Sequence, residues 1–459
     1  MVTTGLVAID ATILASAVPT IVGELGGFSS FPWLFSVYLL TQAVSVPIYS
    51  KLSDTIGRKP IILLGVALFL TGSVLCGFAW SMPALIAFRA VQGLGAGAVQ
   101  PMAITIAGDI YTVAERAKAQ GYIASVWAIS SVVGPTLGGV FSEFVSWRWI
   151  FFVNVPLCIA AAWLIVRFLH ETVQRTRHRI DWAGGALLTV SMSLLILALL
   201  EGGNAWAWDA PQSIGAFVVG GLMLAAFVLV EQRAAEPVLP LWVFSRRLLL
   251  TASLIAVAVG VILIGLTSYV PSFLEALLGV SPLVSGLSLA ALTIGWPISA
   301  SQSGRLYLRL GFRTTALIGS SIATIGVAIL VWVSTDPSVV GIAASCFVVG
   351  LGLGLTSTPT LIAAQSSVGW GDRGVVTGAN LFARSMGSAL GVAALGAVIN
   401  GKMHGQTAVQ APQQFGDAVT VAFVVVLALS VAMVVAASAM PRTTVEYVSP
   451  GVRTVSSAD

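Results

Sequence analysis

The sequence predicts an all-α integral membrane protein with fourteen membrane-spanning helices, and three observations lead to this fold class. Only 9% of the 459 residues are charged, against about 25% in a typical soluble domain. Apolar runs long enough to cross a bilayer as a helix recur along the whole chain. Lys and Arg are concentrated in alternate loops between these runs.

The apolar runs are expected to form helices, because the interior of a membrane offers no water to hydrogen-bond an open backbone. The predicted spans, in chain order, are 3–22, 33–50, 61–80, 83–107, 119–141, 149–169, 182–202, 212–232, 248–274, 284–303, 315–334, 339–363, 376–399 and 417–440. The loops between them are short, and no soluble domain fits anywhere in the chain.

The placement of basic residues predicts the orientation of the chain. Eighteen of the 22 Lys and Arg residues fall in one set of loops, whereas the opposite set holds only Arg148 and Lys402. Since basic loops remain on the cytoplasmic side, both termini are expected to be cytoplasmic, with the protein in the plasma (inner) membrane. The net charge of +4 therefore reflects orientation, and no nucleic-acid partner is expected.

Two distant parts of the chain resemble each other at a nearly constant spacing. SKLSDTIGRK at 50–59 aligns with GRLYLRLGFR at 304–313, and GLGAG at 93–97 aligns with GLGLG at 350–354. Spans one to six therefore repeat as spans nine to fourteen, with spans seven and eight inserted between the halves. Two parallel six-helix halves with a site between them are the architecture of an alternating-access transporter.

The repeat predicts four parts of the chain. They are a six-helix bundle at 1–169, two inserted helices with flanking cytoplasmic loops at 170–247, a second six-helix bundle at 248–440 and a cytoplasmic tail at 441–459. The protein is expected to function as a monomer in the lipid bilayer.

Asp10 lies inside an apolar run, VAIDATILASAVPTI at 7–21, with no basic residue within a turn or two along the chain. A carboxylate inside a membrane is costly, and it indicates function unless it has a dedicated structural partner. Thr12 and Ser16 are expected to donate hydrogen bonds to it. Because burial favours the neutral form of a carboxyl group, Asp10 is the predicted proton carrier.

Two arginines lie inside predicted spans, where a cation costs about 2.5–3.5 kcal/mol on insertion scales. Arg89 in span four is expected to face the interior, where it either influences the proton affinity of a nearby acid or binds a backbone carbonyl. Arg384 in span thirteen is placed near the cytoplasmic end, with a structural or snorkelling role at least as favoured as a functional one.

Five motifs occur along the chain in this order: DATILASAVP at 10–19, SKLSDTIGRK at 50–59, RAVQGLGAG at 89–97, SSVVGPTLGG at 130–139 and WRWIFFVNVP at 147–156. Together they resemble the motifs of the major facilitator superfamily, and specifically of its fourteen-helix drug:proton antiporter branch. The resemblance covers essentially the whole chain. It implies the major facilitator fold, with the two inserted helices, and a multidrug efflux function.

The resemblance assigns a gating role to the loop between spans two and three. Gly57 allows a tight turn, and Asp54 faces the start of span thirteen, where a helix N-terminus favours an anion by about 0.3–1 kcal/mol. Arg58 is implied to reach Asp109 at the end of span four. These contacts are expected to hold the outward-open state; the alternative is a basic loop that only fixes topology.

The middle of span five holds Gly134, Pro135, Gly138 and Gly139. Small residues four apart allow two helices to approach closely, and a proline frees a carbonyl and bends the helix. Tight packing alone explains the segment; the resemblance adds that this bend distinguishes antiporters from facilitators.

Eight side chains are candidate substrate contacts, because the resemblance places their helices around the cavity. They are Tyr38, Gln42, Trp127, Tyr269, Glu275, Trp296, Asn380 and Phe382. Aromatic rings suit flat lipophilic cations through cation–π contact, although most aromatic residues in membranes simply pack. Glu275, near the outer mouth, either binds a cationic drug or is a solvated interfacial residue.

No metal or cofactor site is predicted. Cys76, Cys158 and Cys346 are widely separated within spans, which argues against a metal site. GAVINGKM at 396–403 has the spacing of a phosphate-binding loop, but Met403 replaces the required Ser or Thr. Without a nucleotide site, the energy for transport is expected to come from a proton gradient.

The sequence thus predicts proton-coupled export of lipophilic, cationic small molecules by alternating access. One alternative is an exporter of lipid, siderophore or metabolite on the same scaffold. A second is a membrane-embedded enzyme, which needs clustered histidines, paired acids or a metal constellation that the sequence does not contain.

Overall fold

A computed structural model describes residues 1–26, 33–169, 171, 182–202, 206–234, 237, 241–280, 282–403 and 411–442. These residues are helical apart from short connections and one isolated bridge between Gly202 and Trp206. Nearly all of the predicted tail, from residue 443 onward, lies outside the described residues.

The α-helices of the described residues are named here in chain order. They are α1 (Val2–Leu25), α2 (Trp33–Ile56), α3 (Arg58–Gly77), α4 (Met82–Ile110), α5 (Val113–Phe144), α6 (Trp149–Phe152), α7 (Asn154–Phe168), α8 (Trp182–Glu201), α9 (Pro211–Glu231), α10 (Trp242–Ser245), α11 (Arg247–Leu278), α12 (Pro282–Leu310), α13 (Phe312–Val333), α14 (Val339–Ser366), α15 (Arg373–Met403) and α16 (Pro412–Ala439). Each predicted span overlaps one long helix, except that α6 and α7 share the sixth.

Nine helical stretches of the described residues are long and apolar enough to cross a membrane: α3, α4, α6 with α7, α9, α11, α12, α13, α14 and α16. The protein is therefore a multi-pass membrane protein. The described residues of α1 and α8 contain only shorter apolar stretches, Val2–Leu14 and Ala183–Leu195, which are not counted among the nine. The total of fourteen spans stays a prediction.

The repeated glycine segments bring equivalent helices together in the two halves. In α4, Gly93 and Gly97 contact α2, while Gly95 contacts the backbone of α3. In α14, the aligned glycines of GLGLG contact α12 and α13 in the same alternation. A Cβ on any of these glycines would overlap the neighbouring helix, so their absence of a side chain permits the close approach.

The turns at the start of the third and eleventh predicted spans also match. Gly57, between α2 and α3, has φ of 105°, and Gly311, between α12 and α13, has φ of 81°. Positive φ values of this kind favour glycine because it lacks a Cβ. The aligned glycines therefore make the same tight turn in both halves.

The two halves meet mainly along two helix pairs, α5 with α12 and α2 with α15, with smaller contacts of α4 with α15 and α5 with α14. The inserted helix α8 packs on α9 and reaches the seam between α2 and α15. A shared apolar cluster joins them, in which Leu188 and Met192 of α8 and Phe227 of α9 pack with Ala43 of α2 and Ala379 of α15. The inserted pair thus covers one side of the contact between the halves.

We predict that Gly352→Ile lowers thermal stability, because a Cβ at this position would overlap the Ala323 backbone and force α14 away from α13. Overpacking of this kind costs about 1–3 kcal/mol. The matched control is Gly221→Ile on α9, where a Cβ would meet nothing within 4 Å. Melting of each variant in detergent, followed by size-exclusion chromatography, measures the difference. Equal melting temperatures would contradict the prediction.

Candidate functional site

Asp10 is only 1% exposed in α1, and side chains from two other helices surround its carboxylate. Arg89 Nη1 of α4 lies 2.7 Å from Asp10 Oδ2 and forms an ion pair with it. Gln92 Nε2 donates to Asp10 Oδ1 at 2.7 Å, and Asn154 Nδ2 of α7 donates to the same oxygen at 3.0 Å. Both carboxylate oxygens are therefore bound, and the pair with Arg89 carries no net charge.

The Arg89 guanidinium is held from several sides. It donates to the Leu34 carbonyl at 3.2 Å and to Gln92 Oε1 at 2.6 Å, and it lies 4.1 Å from the centre of the Tyr38 ring. Buried ion pairs persist only when their remaining donors and lone pairs are satisfied in this way. Arg89 is thus a partner of Asp10, which sequence reasoning had left between two roles.

Two polar atoms beside the pair are buried without a hydrogen-bond partner among the described residues. They are the Tyr38 hydroxyl and Asn154 Oδ1. Buried unsatisfied groups are rare in folded proteins and cost free energy. Asn154 Oδ1 is therefore an acceptor available beside Asp10, and a protonated Asp10 carboxyl needs such an acceptor.

The expectation that Thr12 donates to Asp10 is wrong. Thr12 Oγ1 donates instead to the Ser130 carbonyl of α5 at 2.8 Å, as well as to carbonyls of its own helix. The physical reason is helical geometry, since two residues along a helix turn a side chain about 200° away. The other expected donor, Ser16, has a side chain outside the described residues.

Gln92, Asn154 and Ser73 were missed by sequence reasoning. Gln92 lies three residues after Arg89 in RAVQGLGAG, so helical spacing places both on one face and was a usable signal. Asn154 lies within WRWIFFVNVP, but nothing in that motif indicates which helix it faces. Ser73 Oγ, which accepts from Gln92 Nε2 at 2.7 Å, has no sequence signal.

The glycine-rich segment of α5 contacts α1 beside the Asp10 site. Gly134 is buried so close to Thr12 that a Cβ would overlap the hydroxyl. Gly138 is buried as well, whereas a Cβ on Gly139 would meet nothing within 4 Å, so Gly139 is not part of a tight contact. The side chain of Pro135 lies outside the described residues.

The loop motif between α2 and α3 contacts the second half at one end of the bundle. We call this the basic end, because the predicted basic loops lie there. Asp54 accepts hydrogen bonds from the backbone N–H groups of Gly374 at 3.0 Å and Val375 at 2.7 Å, at the start of α15. Arg58 Nη2 lies 2.6 Å from Asp54 Oδ1. These are contacts of the kind that the resemblance implies.

Asp109 at the end of α4 joins two arginines, one from each half. Arg58 Nε lies 3.0 Å from Asp109 Oδ2, and Arg373 Nη1 lies 3.1 Å from Asp109 Oδ1. Glu171, which sequence reasoning did not single out, accepts from the backbone N–H groups of Arg58 at 2.8 Å and Lys59 at 2.9 Å. Glu171 therefore caps the start of α3 and holds the loop motif.

Further contacts join the halves on the other side of the basic end. The Tyr307 hydroxyl of α12 donates to the Val113 carbonyl at the start of α5, and the Tyr307 ring stacks on Phe312 with centroids 4.8 Å apart. Arg116 of α5 donates to Ser366 of α14 at 3.0 Å. The basic end is thus closed by contacts from both halves.

Burial raises the pKa of the Asp54 carboxyl to about 7, because desolvation outweighs the charge of Arg58 and the N–H groups of Val375 and Gly374. An aspartate in water titrates near 3.8. At pH values between these two, closing the basic end therefore takes up a proton at Asp54.

An apolar plug lies just inside the basic end, formed by helices of both halves. Its buried members are Val46, Ile104, Ala107, Ile123, Leu361 and Leu381. One helical turn farther from the basic end, each of five helices carries a half-buried residue on the same line: Gln42, Gln100, Trp127, Ser357 and Arg384. The plug residues are buried and the ring residues are only half-buried, so the contact between the halves is less tight at the level of the ring.

The predicted cavity residues divide between this ring and other places. Gln42 Nε2 donates to Gln100 Oε1 at 2.9 Å within the ring, and Trp127, at the same level, packs against the core of the first half. Tyr38 is buried under Arg89. Phe382 packs instead against the cluster shared with the inserted helices.

The remaining predicted cavity residues lie in the second half. Asn380 donates to the Ala252 carbonyl of α11 at 3.2 Å. Tyr269 and Trp296 are half-buried and pack against the core of that half. Glu275, near the end of α11 far from the basic end, accepts from Ser285 Oγ at 2.6 Å.

The part of the chain that the structure describes holds no group of three or more His, Cys, Asp or Glu side chains arranged to bind a metal ion. Cys76, Cys158 and Cys346 are free and buried.

Residues 1–392 match the sequence profile of the family described as Major Facilitator Superfamily. The chain is 35% identical over 395 residues to the multidrug transporter protein MdtP of Bacillus subtilis, covering 86% of this chain and 73% of that protein. It is 36% identical over 391 residues to multidrug resistance protein 3 of the same organism, covering 85% and 76%. It is 31% identical over 411 residues to the efflux pump FUS6 of Gibberella moniliformis, covering 88% and 73%.

Two solved structures are similar in fold. The human organic anion transporter MFSD10 (TETRAN) superposes with a TM-score of 0.64 at 15% identity, covering 94% of this chain and 98% of that one. A bacterial homologue of the iron transporter ferroportin in an outward-facing state gives a TM-score of 0.63 at 12% identity, covering 95% and 100%. At these identities the likeness concerns the fold alone.

We predict that the closed basic end weakens as the pH rises from 5 to 8, and that Asp54→Asn removes this dependence. The closed state binds the Asp54 proton more tightly than an open, solvated state. The stability that this proton gives the closed state over the open state is therefore full at low pH and is lost as the pH rises through about 7. The loss is at most about 1.4 kcal/mol per pH unit.

The distance between spin labels at the exposed residues Lys118 and Arg309 measures this opening. Asp336→Asn, which removes an exposed carboxylate far from the loop motif, is the control and should titrate like the parent. An unchanged pH dependence in Asp54→Asn would contradict the prediction.

Proposed function

The chain belongs to the major facilitator superfamily, whose members are transporters and not enzymes, and on that premise we propose that it exports lipophilic small molecules in exchange for protons. The export takes place across the plasma (inner) membrane, with both termini in the cytoplasm. Fourteen spans form two six-helix halves, 1–169 and 248–440, with two inserted helices between them. The monomer is the functional unit.

The observation that carries this proposal is the buried ion pair between Asp10 and Arg89. Protonation of Asp10 removes its charge and leaves the Arg89 guanidinium without a counter-ion in a nearly dry site. Breaking a buried pair in this way costs about 3–5 kcal/mol, so the helices around it are driven to rearrange. Proton uptake at Asp10 thereby changes the packing of α1 against α4 and α7.

The protonated carboxyl also needs an acceptor for its new hydrogen. Asn154 Oδ1 is unsatisfied beside it and becomes that acceptor when the amide turns. Gln92 bonds both members of the pair, so its amide follows the same change. These two amides are positioning residues that transmit the proton's arrival to α4 and α7.

Alternating access requires the basic end, taken as the cytoplasmic end, to open. Opening breaks the hydrogen bonds of Asp54 to the start of α15, the ion pair between Asp109 and Arg373, and the Tyr307 contact with Val113. With these contacts in place, the space above the plug faces the opposite side of the membrane. The contacts thus support a gating role for the loop motif.

The choice of substrate rests on the named relatives and on the ring residues. The relatives from Bacillus subtilis are called multidrug transport and resistance proteins, which supports lipophilic cargo of varied structure. Among the described ring residues none is a carboxylate, and Asp10 is already paired with Arg89. The proposal therefore does not restrict the cargo to cations. Export of a lipid, siderophore or metabolite remains the second candidate on this scaffold.

We predict that Asp10→Asn abolishes uphill transport driven by a pH gradient, because the amide cannot exchange a proton. Purified protein in liposomes, with rhodamine 6G as the dye, measures this. Gradient-driven accumulation should fall at least about tenfold, whereas exchange of dye down its own gradient continues and shows that the variant is folded.

The control is Asp209→Asn, which removes an exposed carboxylate outside the predicted spans and should leave transport unchanged. Accumulation by Asp10→Asn that still follows the pH gradient would refute the coupling.

A further inference from the structure

Arg384 lies deep within α15. It is eleven residues after Arg373, the first residue of the helix, which corresponds to a rise of about 16 Å. That distance is longer than an arginine side chain, so Arg384 cannot snorkel to the basic end. The sequence predicted that Arg384 lies near that end. The helix begins earlier than predicted, at Arg373 rather than near 376, so Arg384 lies deeper in it.

No hydrogen bond or ion pair joins the Arg384 side chain to any other described residue. Arg89, the other arginine inside a predicted span, differs from Arg384 because its side chain has partners. Arg89 has a carboxylate, a carbonyl, an amide and an aromatic ring around its guanidinium. A purely structural arginine is expected to have partners of this kind, because an unpaired cation at this depth is costly.

Glu275 and Asp54 lie too far along the neighbouring helices α11 and α2 to pair with Arg384. The Arg384 carbonyl lies against Gly260 of α11, and Glu275 follows Gly260 by fifteen residues, about 22 Å of helix. Asp54 lies at Gly374, about 15 Å of helix away, and is bound there. Asp10 is already paired.

Arg384 is partly accessible, and other helices carry polar and aromatic side chains at the same level. Arg384 lies one turn beyond Leu381 of the plug, and it is half-buried whereas Leu381 is buried. The ring at this level also holds the hydrogen-bonded amides of Gln42 and Gln100 and the side chain of Trp127. Among the described residues, Arg384 is therefore a positive charge without a partner, at the same helical level as these amides and this aromatic ring.

We propose that Arg384 binds the anionic group of the exported molecule, so that the cargo includes amphiphilic organic anions, such as carboxylates or sulfonates with an apolar or aromatic body. A guanidinium offers two parallel N–H donors that match a carboxylate or sulfonate. The Gln42 and Gln100 amides supply neutral hydrogen bonds, and Trp127 supplies a surface for the apolar body. The inference rests on the proposed export function and names its substrate class.

The test compares two dyes built on one xanthene skeleton, anionic fluorescein and cationic rhodamine 6G. Fluorescence anisotropy measures the binding of each to the purified full-length protein in detergent, without any gradient. Wild-type protein should bind fluorescein more tightly than rhodamine 6G. Arg384→Gln should weaken fluorescein binding about tenfold to hundredfold, the usual effect of losing a charged hydrogen bond. Its binding of rhodamine 6G should stay within about twofold or improve, as an uncompensated cation is removed.

Arg384→Lys keeps the charge but not the paired donors, so it should recover part of the fluorescein affinity. Arg309→Gln removes an exposed arginine of α12 and is the matched control for the loss of one positive charge. The proposal is overturned if Arg384→Gln binds fluorescein as well as Arg309→Gln does. It is equally overturned if the wild-type protein prefers rhodamine 6G, a comparison that needs no variant to fold.

Uphill transport in liposomes separates this inference from the function on which it rests. If wild-type protein accumulates rhodamine 6G with the pH gradient but neither binds nor transports fluorescein, the anion site is wrong and proton-coupled export stands. If fluorescein binds through Arg384 but neither dye moves with the gradient, the anion site stands and proton coupling is wrong.

Discussion

The structure depends most on the need to hold a carboxylate inside a membrane bundle. Asp10 meets this need by pairing with Arg89, and the pair is then bonded by Gln92 and Asn154. Four side chains from three helices, the charge pair and the two amides, therefore occupy fixed positions. Such a pair contributes little net stability, because desolvation offsets most of the attraction, yet losing either member is costly. In the proposed mechanism, one proton at this pair alters the packing of several helices.

At the basic end, the aligned segments of the two halves make different contacts. In the first half, Asp54 and Arg58 make charged contacts to α15 and α4. At the aligned place in the second half, Tyr307 and Phe312 stack on each other, and the Tyr307 hydroxyl binds the start of α5. One side of the closure titrates near neutral pH, and the other is an aromatic hydrogen bond that does not. The closure is therefore sensitive to pH on one side only.

Sequence reasoning predicted the helices and the turns well, because apolar length and glycine position depend on local chemistry. Gly57 makes the expected turn, Gly311 aligned with it makes the same turn, and every long helix overlaps a predicted span. The Asp10–Arg89 pair joins residues 79 apart in the chain, and no local pattern reveals which helices face each other. Thr12 was assigned to Asp10 by nearness in sequence, whereas helical rotation turns it toward α5. Long-range pairing and the direction of side chains therefore needed the structure.

Proton release on substrate binding tests whether Asp10 exchanges its proton for the cargo. An antiporter that exchanges cargo for a proton at Asp10 should release about one proton per molecule of dye bound, at a pH where the site is protonated before binding. Purified protein in weakly buffered detergent solution, with a pH indicator, reports this number. We expect release by the wild-type protein and none by Asp10→Asn while the dye still binds. Equal release from both proteins would contradict this, because the proton would then come from another group.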